Sequence, residues 1–119
     1  MPGEMKDTAE IRAGDIWWAA PDPAVGREQS GRRPILVISG KTYNAVVTTL
    51  ALAVPITSKN RGWPNHIKIS QTSGLGKPSY AMSEQVKAIS RERLMKRAGV
   101  CSFQELEQVR QWVRDSLAD

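Results

Sequence analysis

Two short segments of the sequence carry side chains that could act on a phosphodiester. The first, GREQSGRRP at residues 26–34, places Arg33 directly before a proline and an apolar run, with Glu28 and Gln29 nearby as an acceptor and a donor. Pro34 fixes its own φ and biases Arg33 toward an extended backbone, so we expect Arg33 at the rigid start of a buried strand. A guanidinium can bind two phosphate oxygens at once. The plainer alternative is a surface turn with solvated charges.

The second segment, VPITS at residues 54–58, ends a long apolar run with two hydroxyl side chains, Thr57 and Ser58. Hydroxyls at such positions often end a strand or cap a turn, and that interpretation is open here. A threonine at the end of a strand is also a rigid mount for a catalytic hydroxyl.

The charge distribution favours a polyanionic partner. The chain has a net charge of +5, and residues 59–100 hold nine Lys/Arg against two Asp/Glu, whereas residues 1–58 hold six of each. A concentrated basic region predicts binding to nucleic acid or to an acidic protein. A solvated basic face is the alternative.

If the polyanion is RNA, its cleavage by a ribose 2′-OH needs a proton acceptor, a proton donor and a cation at the phosphate. His66 is the single histidine, which excludes a two-histidine mechanism within one chain. Cys101 is the single cysteine, so the chain has no zinc-finger ligand set and no internal disulfide. No pair of carboxylates has the spacing of a two-metal site. The sequence therefore predicts no metal and no other cofactor.

Five or six short strands and one long helix should position these side chains. We expect strands at 14–21, 34–39, 45–58 and 66–70, with one or two more within 79–90. Ser102 and Glu105 form the pattern of a capping box, and apolar residues follow at helical spacing. A shorter turn is expected from Ser90. The elements predict a mainly β (α+β) fold, a small curled antiparallel barrel with helices packed outside it.

The length of 119 residues fits one domain, which we place at 13–119 after an N-terminal extension at 1–12. No apolar run approaches the roughly 20 residues of a membrane span. The first residues are polar and of mixed charge, unlike a signal peptide, so we expect a cytoplasmic protein without a membrane association.

Three motifs in order resemble the MazF/PemK toxin family. They are G-x-E-Q-x-G-x-R-P at 26–34, V-P-x-T-S at 54–58, and E-Q-V-K-x-I at 84–89 followed by R-x-R-L at 91–94. The resemblance also takes in GDIWW, Tyr43-Asn44 and the C-terminal helix, and so covers nearly all of residues 13–117.

The resemblance implies a homodimeric toxin with an SH3-like barrel, similar to that of the gyrase poison CcdB. Such toxins cut single-stranded RNA at short sequences without a metal, leaving a 2′,3′-cyclic phosphate and a 5′-OH. It assigns the catalytic arginine to Arg33, the catalytic threonine to Thr57 and the acidic residue to Glu28, as a base or as the group that orients Arg33. It also implies a cognate antitoxin encoded nearby, and an acidic segment would suit the basic groove.

Further residues are candidates for binding RNA. They are Gln29, Ser58, Trp63, Gln85 and Lys87. Trp63 lies in a loop, where it either stacks on a base or anchors the loop. Gln85 and Lys87 alternate along the chain and are expected on one face, contacting a base edge and a phosphate respectively.

Two other functions remain open on the sequence. One is a gyrase poison like CcdB that cuts nothing, although that activity depends on a C-terminal Trp-Gly-apolar pattern and this sequence ends in DSLAD. The other is a barrel that binds RNA without cleaving it.

Overall fold

Seven β-strands and two α-helices lie within residues 10–21 and 31–118, which a computed structural model describes. The strands are β1 Asp15–Ala19, β2 Arg33–Val37, β3 Leu50–Thr57, β4 His66–Ile69, β5 Ser79–Met82, β6 Lys87–Ser90 and β7 Leu94–Val100. The helices are α1 Lys41–Val46 and α2 Phe103–Leu117. Three short 3₁₀ turns cover Gln71–Ser73, Ser83–Gln85 and Arg91–Arg93.

The strands form one curled antiparallel sheet in the order β4-β5-β3-β2-β1-β7. Strand β3 is long enough to pair with two strands on the same edge: Leu50–Ala53 pairs with β6, and Ile56 and Thr57 pair with β5. The predicted fold, mainly β and antiparallel with a C-terminal helix, is confirmed.

Alternation along β2 and β3 divides the apolar side chains between two cores. Leu36, Val54 and Ile56 belong to the core that includes Leu106 and Val109 of α2. The alternate residues of β2 and β3 face the opposite side of the sheet. There, Ile35 packs in a second core with Trp17, Ile89 and Leu94. Fully burying one such aliphatic side chain contributes about 1.5–3 kcal/mol. The site described below lies where this second face reaches the ends of β2 and β3.

Helix α2 begins at the predicted capping box. The Ser102 hydroxyl accepts a hydrogen bond from the Glu105 backbone N–H (3.0 Å), and the Glu105 carboxylate accepts one from the Ser102 backbone N–H (2.9 Å). Leu106 and Val109 are buried, whereas Leu117, at the other end of the predicted stripe, is 81% exposed. The stripe is therefore buried only over the first half of the helix.

The prediction of a strand from residue 45 was wrong, because residues 41–46 form helix α1 and β3 begins at Leu50. The Asn44 side chain hydrogen-bonds to both the hydroxyl (2.7 Å) and the carbonyl (2.9 Å) of Ser39. The Arg91 guanidinium donates to the carbonyls of Asn44 (2.6 Å) and Val47 (3.3 Å) at the end of the helix. These contacts override the strand preference of the Val-Val-Thr-Thr run.

The count of five or six strands was also wrong, because 94–100 forms β7 at an edge of the sheet. Its exposed Lys96 and Arg97 interrupt the apolar pattern that marks a strand in sequence, and charged residues are common on edge strands. The turn expected at Ser90 is present: its hydroxyl accepts from the Glu92 backbone N–H (3.2 Å). No helix within the described residues is long and apolar enough to cross a membrane.

Candidate active site

The register of β2 and β3 brings Arg33 and Thr57 together. Ile35 pairs with Pro55 and Leu36 with Val54. Continuing this antiparallel register by two residues places Arg33 opposite Thr57, and directly opposed residues project from the same face of a sheet. Both residues stand at a strand end, where the side chains reach solvent.

The Thr57 hydroxyl is oriented by the loop that follows it. Its oxygen accepts a hydrogen bond from the Lys59 backbone N–H at 3.1 Å. Since a hydroxyl both accepts and donates, the proton of Thr57 stays available for another acceptor. The next turn is closed by Asn60, whose side-chain oxygen accepts from the Gly62 N–H at 3.0 Å. The backbone thus holds this hydroxyl in a fixed position.

Arg33 and Thr57 both line an open groove of about 650 Å³. The Arg33 side chain is exposed and has no hydrogen-bond or ion-pair partner among the described residues. Three other candidate residues, Ser58, Gln85 and Lys87, also line this groove. The structure therefore gathers five of the eight candidate side chains around one groove.

The groove is strongly cationic. Its described lining includes the side chains of Arg32, Arg33, Lys59, Arg61, Lys77, Lys87 and Arg93. No carboxylate belongs to that described lining. Charges of one sign along a cleft focus the electrostatic field, and positive charges concentrate anions there. A phosphodiester chain has the matching charge.

Lys87 and Gln85 reach the groove from different elements. Lys87 begins β6 opposite Ala53, on the face shared with Thr57. Gln85 belongs to the preceding 3₁₀ turn, so the assumption that both residues alternate along one strand was wrong. They share the groove because the turn folds beside the strand.

Trp17 and Trp18 point in opposite directions, as their adjacency in β1 predicts. Trp17 is buried in the second core, whereas Trp18 is partly exposed and lines the groove. The Arg32 guanidinium carbon lies 5.5 Å from the centre of the Trp18 ring, within the range of a cation–π interaction. The sequence offered an aromatic pair but not which ring faces the groove.

Arg93 is a groove residue to which the sequence assigned no role, although it belongs to the third motif. Its guanidinium Nε donates to the Ala20 carbonyl (2.9 Å), and its own carbonyl accepts from the Ala20 N–H (2.7 Å). These bonds hold the chain at Ala20, just after β1. Of the cations in 59–100, the sequence assigned an individual role only to Lys87; for the others only their density was visible.

Trp63 does not line the groove. The residue is 48% exposed, and its ring lies tilted at 46° against the His66 ring, with 4.8 Å between centroids. The Arg61 guanidinium carbon is 5.9 Å from the centre of the Trp63 ring. Trp63 thus packs beside the groove, and a role in RNA binding stays a prediction.

His66 has a structural role. It is buried, with Nε2 3.0 Å from Glu84 Oε2. Burial raises the pKa of Glu84, but hydrogen bonds from His66, from the backbone and from Gln85 outweigh it, so the net pKa of this carboxyl is lowered from its ordinary value. Glu84 is therefore a carboxylate at neutral pH.

Two candidates in the first motif, Glu28 and Gln29, lie outside the described residues.

Cys101 is buried, and this burial, reinforced by the charge of Glu105, raises the pKa of its thiol to about 11. A protonated, buried thiol is a poor nucleophile. Among the described residues, no cluster of three or more His, Cys, Asp or Glu side chains could hold a metal ion.

Comparison with known proteins identifies the family. The family described as "PemK-like, MazF-like toxin of type II toxin-antitoxin system" matches residues 12–117. The chain belongs to this family. The resemblance inferred from the three motifs is thereby confirmed.

The chain is similar to several proteins of this kind, and each similarity covers most of both chains. Endoribonuclease MazF9 of Mycobacterium tuberculosis is 36% identical over 105 residues, which span 83% of this chain and 89% of that protein. The endoribonuclease toxin MazF of Escherichia coli K12 is 35% identical over 98 residues, 82% of this chain and 85% of that protein. A crystal structure of MazE-MazF from Deinococcus radiodurans has a TM-score of 0.76 and 30% identity, covering 90% of this chain and 95% of that one.

Proposed function

We propose that this protein is the toxin of a toxin–antitoxin pair and a metal-independent endoribonuclease that cuts single-stranded RNA at specific sequences. The observation that carries the proposal is the cationic groove in which the register sets Arg33 opposite Thr57. Membership of the toxin family and the endoribonuclease names of similar proteins support it.

The proposed reaction is an internal transfer of the phosphodiester. The ribose 2′-oxygen attacks the adjacent phosphorus while the bond from phosphorus to the 5′-oxygen breaks. The products are a 2′,3′-cyclic phosphate and a 5′-OH, so one proton leaves the 2′-OH and one reaches the 5′-oxygen. Negative charge builds on the phosphoryl oxygens in the transition state, where preorganised donors lower the barrier most.

Arg33 supplies the charge stabilisation, because its guanidinium stays protonated and can bind two phosphoryl oxygens. Thr57 supplies a hydrogen-bond donor to the phosphate or the leaving oxygen, since its own oxygen is already engaged by the Lys59 N–H. Glu28 is the candidate base, or the group that orients Arg33.

The other candidates bind the substrate around this centre. Lys87 contacts a phosphate, Gln85 a base edge, and Ser58 and Gln29 complete the polar contacts beside the scissile bond. Trp63, exposed at the groove's flank, offers a ring for base stacking.

The proposal includes partners and a compartment. The active form is a homodimer in the cytoplasm, where its RNA substrate is found. A cognate acidic antitoxin, encoded nearby, covers the groove, because carboxylates placed where phosphates would lie neutralise the same cations. Complexes named MazE-MazF among similar structures support this partner.

Incubating the purified protein with mixed RNA in EDTA tests the proposal. Discrete fragments ending in 2′,3′-cyclic phosphate are expected. Retention of RNA without cleavage would indicate a binding barrel instead, and inhibited DNA supercoiling by gyrase without RNA cleavage would indicate a poison like CcdB. Cleavage only when a divalent metal is restored would contradict the metal-independent mechanism.

A further inference from the structure

The Glu84 carboxylate lies at the centre of a polar cluster behind one wall of the groove. Asn65 Nδ2 donates to Oε1 at 2.7 Å, and His66 Nε2 lies 3.1 Å from Oε1 and 3.0 Å from Oε2. Gln85 Nε2 donates to Oε2 at 3.3 Å. One carboxylate thus joins the start of β4 to the 3₁₀ turn that carries Gln85 into the groove.

The cluster holds this carboxylate in place. The His66 side chain is only 2% exposed, and its ring packs against Trp63, so the donor on one side cannot move freely. Because Glu84 is ionised at neutral pH, its oxygens can accept hydrogen bonds but cannot donate them. Any amide that contacts it must therefore present nitrogen.

This requirement sets the orientation of the Gln85 amide. Its nitrogen faces Glu84 Oε2 (3.3 Å) and the Met82 sulfur (3.6 Å). A flipped amide would place its carbonyl against the carboxylate, setting two acceptors against each other. The Gln85 carbonyl oxygen has no hydrogen-bond partner among the described residues, and Gln85 is exposed in the groove lining.

We propose that Glu84 is a positioning residue for base selection: it orients Gln85 so that the groove presents a carbonyl acceptor to the RNA. The acceptor recognises a base with an exocyclic amino group, adenine, cytosine or guanine; uracil has no exocyclic donor and offers only its ring N3–H. The inference rests on the proposed endoribonuclease function and adds a determinant of its sequence preference.

The test removes single amino groups from the substrate. The preferred cleavage sequence is first obtained from a random RNA pool. Oligonucleotides are then made in which each amino-bearing base near the cut is replaced by its analogue lacking that group, such as purine riboside for adenosine or inosine for guanosine. For the wild-type protein, one replacement should lower kcat/KM about tenfold, as expected for one lost hydrogen bond at a partly exposed site.

Two variants then connect that loss to the cluster. In Glu84→Gln, the introduced amide can either accept from the Gln85 nitrogen or donate to its carbonyl, so both orientations of Gln85 become available. The tenfold penalty should shrink to about twofold or less. Gln85→Leu should abolish the penalty as well, and since Gln85 is exposed, this variant should fold normally.

Glu107→Gln is the matched control. Glu107 is also a carboxylate with polar partners: it accepts a hydrogen bond from Arg110 at 3.3 Å and forms an ion pair with Arg114 at 3.7 Å, but it lies on α2 outside the groove lining. It should keep the full penalty. If Glu84 had only a structural role, Glu84→Gln would slow all substrates alike and keep the penalty, which would overturn the inference. A wild-type preference for uracil at the Gln85-dependent position would also overturn it.

The proposed ribonuclease function and the role of Glu84 can be disproved separately. If the wild-type protein cuts nothing in the RNA pool, the proposed function fails and the inference with it. If it cuts the pool but the penalty survives in Glu84→Gln or Gln85→Leu, the inference alone fails.

Discussion

Arg33 is the residue on which the proposed chemistry depends most directly. Arg33→Ala should lower cleavage by about 10²–10³-fold, the usual effect of removing one preorganised donor to an oxyanion. Stability should change by no more than about 0.5 kcal/mol, because Arg33 is exposed and has no partner among the described residues. Fragment analysis of a short RNA and a thermal melt measure the two quantities.

Lys68→Ala is the matched control for this prediction, since Lys68 is an exposed cation on β4 outside the groove lining. It should cleave at nearly the normal rate. A folded Arg33→Ala protein that cleaves as fast as this control would remove Arg33 from the reaction.

Thr57 separates binding from chemistry. Thr57→Val keeps the shape of the side chain and removes the hydroxyl, so RNA should still bind while turnover falls by one to several orders of magnitude. Thr57→Ser, which keeps the hydroxyl, should retain much of the rate. The measurements are the Kd by filter binding and the single-turnover rate. Unchanged turnover in Thr57→Val would leave Thr57 as a strand-ending residue.

At the scale of the element, two glycines test how tightly the turn at 71–76 packs against β7. Gly74 has φ +75°, and a Cβ there would collide with the Ala98 carbonyl of β7, whose carbon lies 2.9 Å from the ideal Cβ position. Gly76 has φ +80° but open space around it. The free energy of unfolding of Gly76→Ala should fall by about 1–2 kcal/mol, which is the cost of a left-handed backbone for a residue with a Cβ.

The free energy of unfolding of Gly74→Ala should fall by the same backbone cost and by about 1–3 kcal/mol more, because the turn and β7 must move apart. Urea unfolding of both variants gives the difference. Equal losses would show that the turn can leave β7 at little cost in free energy.

At the scale of the whole molecule, the seven cations in the described lining of the groove predict strong salt dependence of RNA binding. Each neutralised phosphate of a single strand contributes about −0.7 to the slope of log K against log salt, so the slope should reach at most about −5. Thr57→Val is the suitable protein for titration, since it is expected to bind without cutting. Lys87→Ala should make the slope shallower by about 0.7. A slope near zero would mean that the groove is not the RNA site.

The antitoxin should meet the same groove through charge. Its acidic segment is expected to compete with RNA, and its association should slow as salt rises, because the Debye length falls from about 30 Å at 0.01 M to about 10 Å at 0.1 M. Stopped-flow mixing at several salt concentrations measures this rate. A rate indifferent to salt would indicate apolar anchors, and an antitoxin that binds yet leaves cleavage intact would bind elsewhere on the toxin.

Local signals in the sequence determined the start of β2 and the position of α2. Pro34 predicts an extended Arg33, and β2 begins at Arg33. Ser102 and Glu105 make the capping box from residues three apart, so neighbouring positions suffice to define it. The three motifs likewise identified the family without a structure. The division at residue 12 stays a prediction.

Only the tertiary structure decided how these pieces meet. Arg33 and Thr57 line one groove because β2 and β3 pair in register beside them, and α1 ends where Arg91, far along the chain, donates to its carbonyls. Glu84 contacts its neighbour Gln85, but its other partners, Asn65 and His66, lie 19 and 18 positions earlier in the chain. Such contacts depend on which surfaces pack together, and that is settled by the burial of the whole apolar set rather than by any local run of sequence.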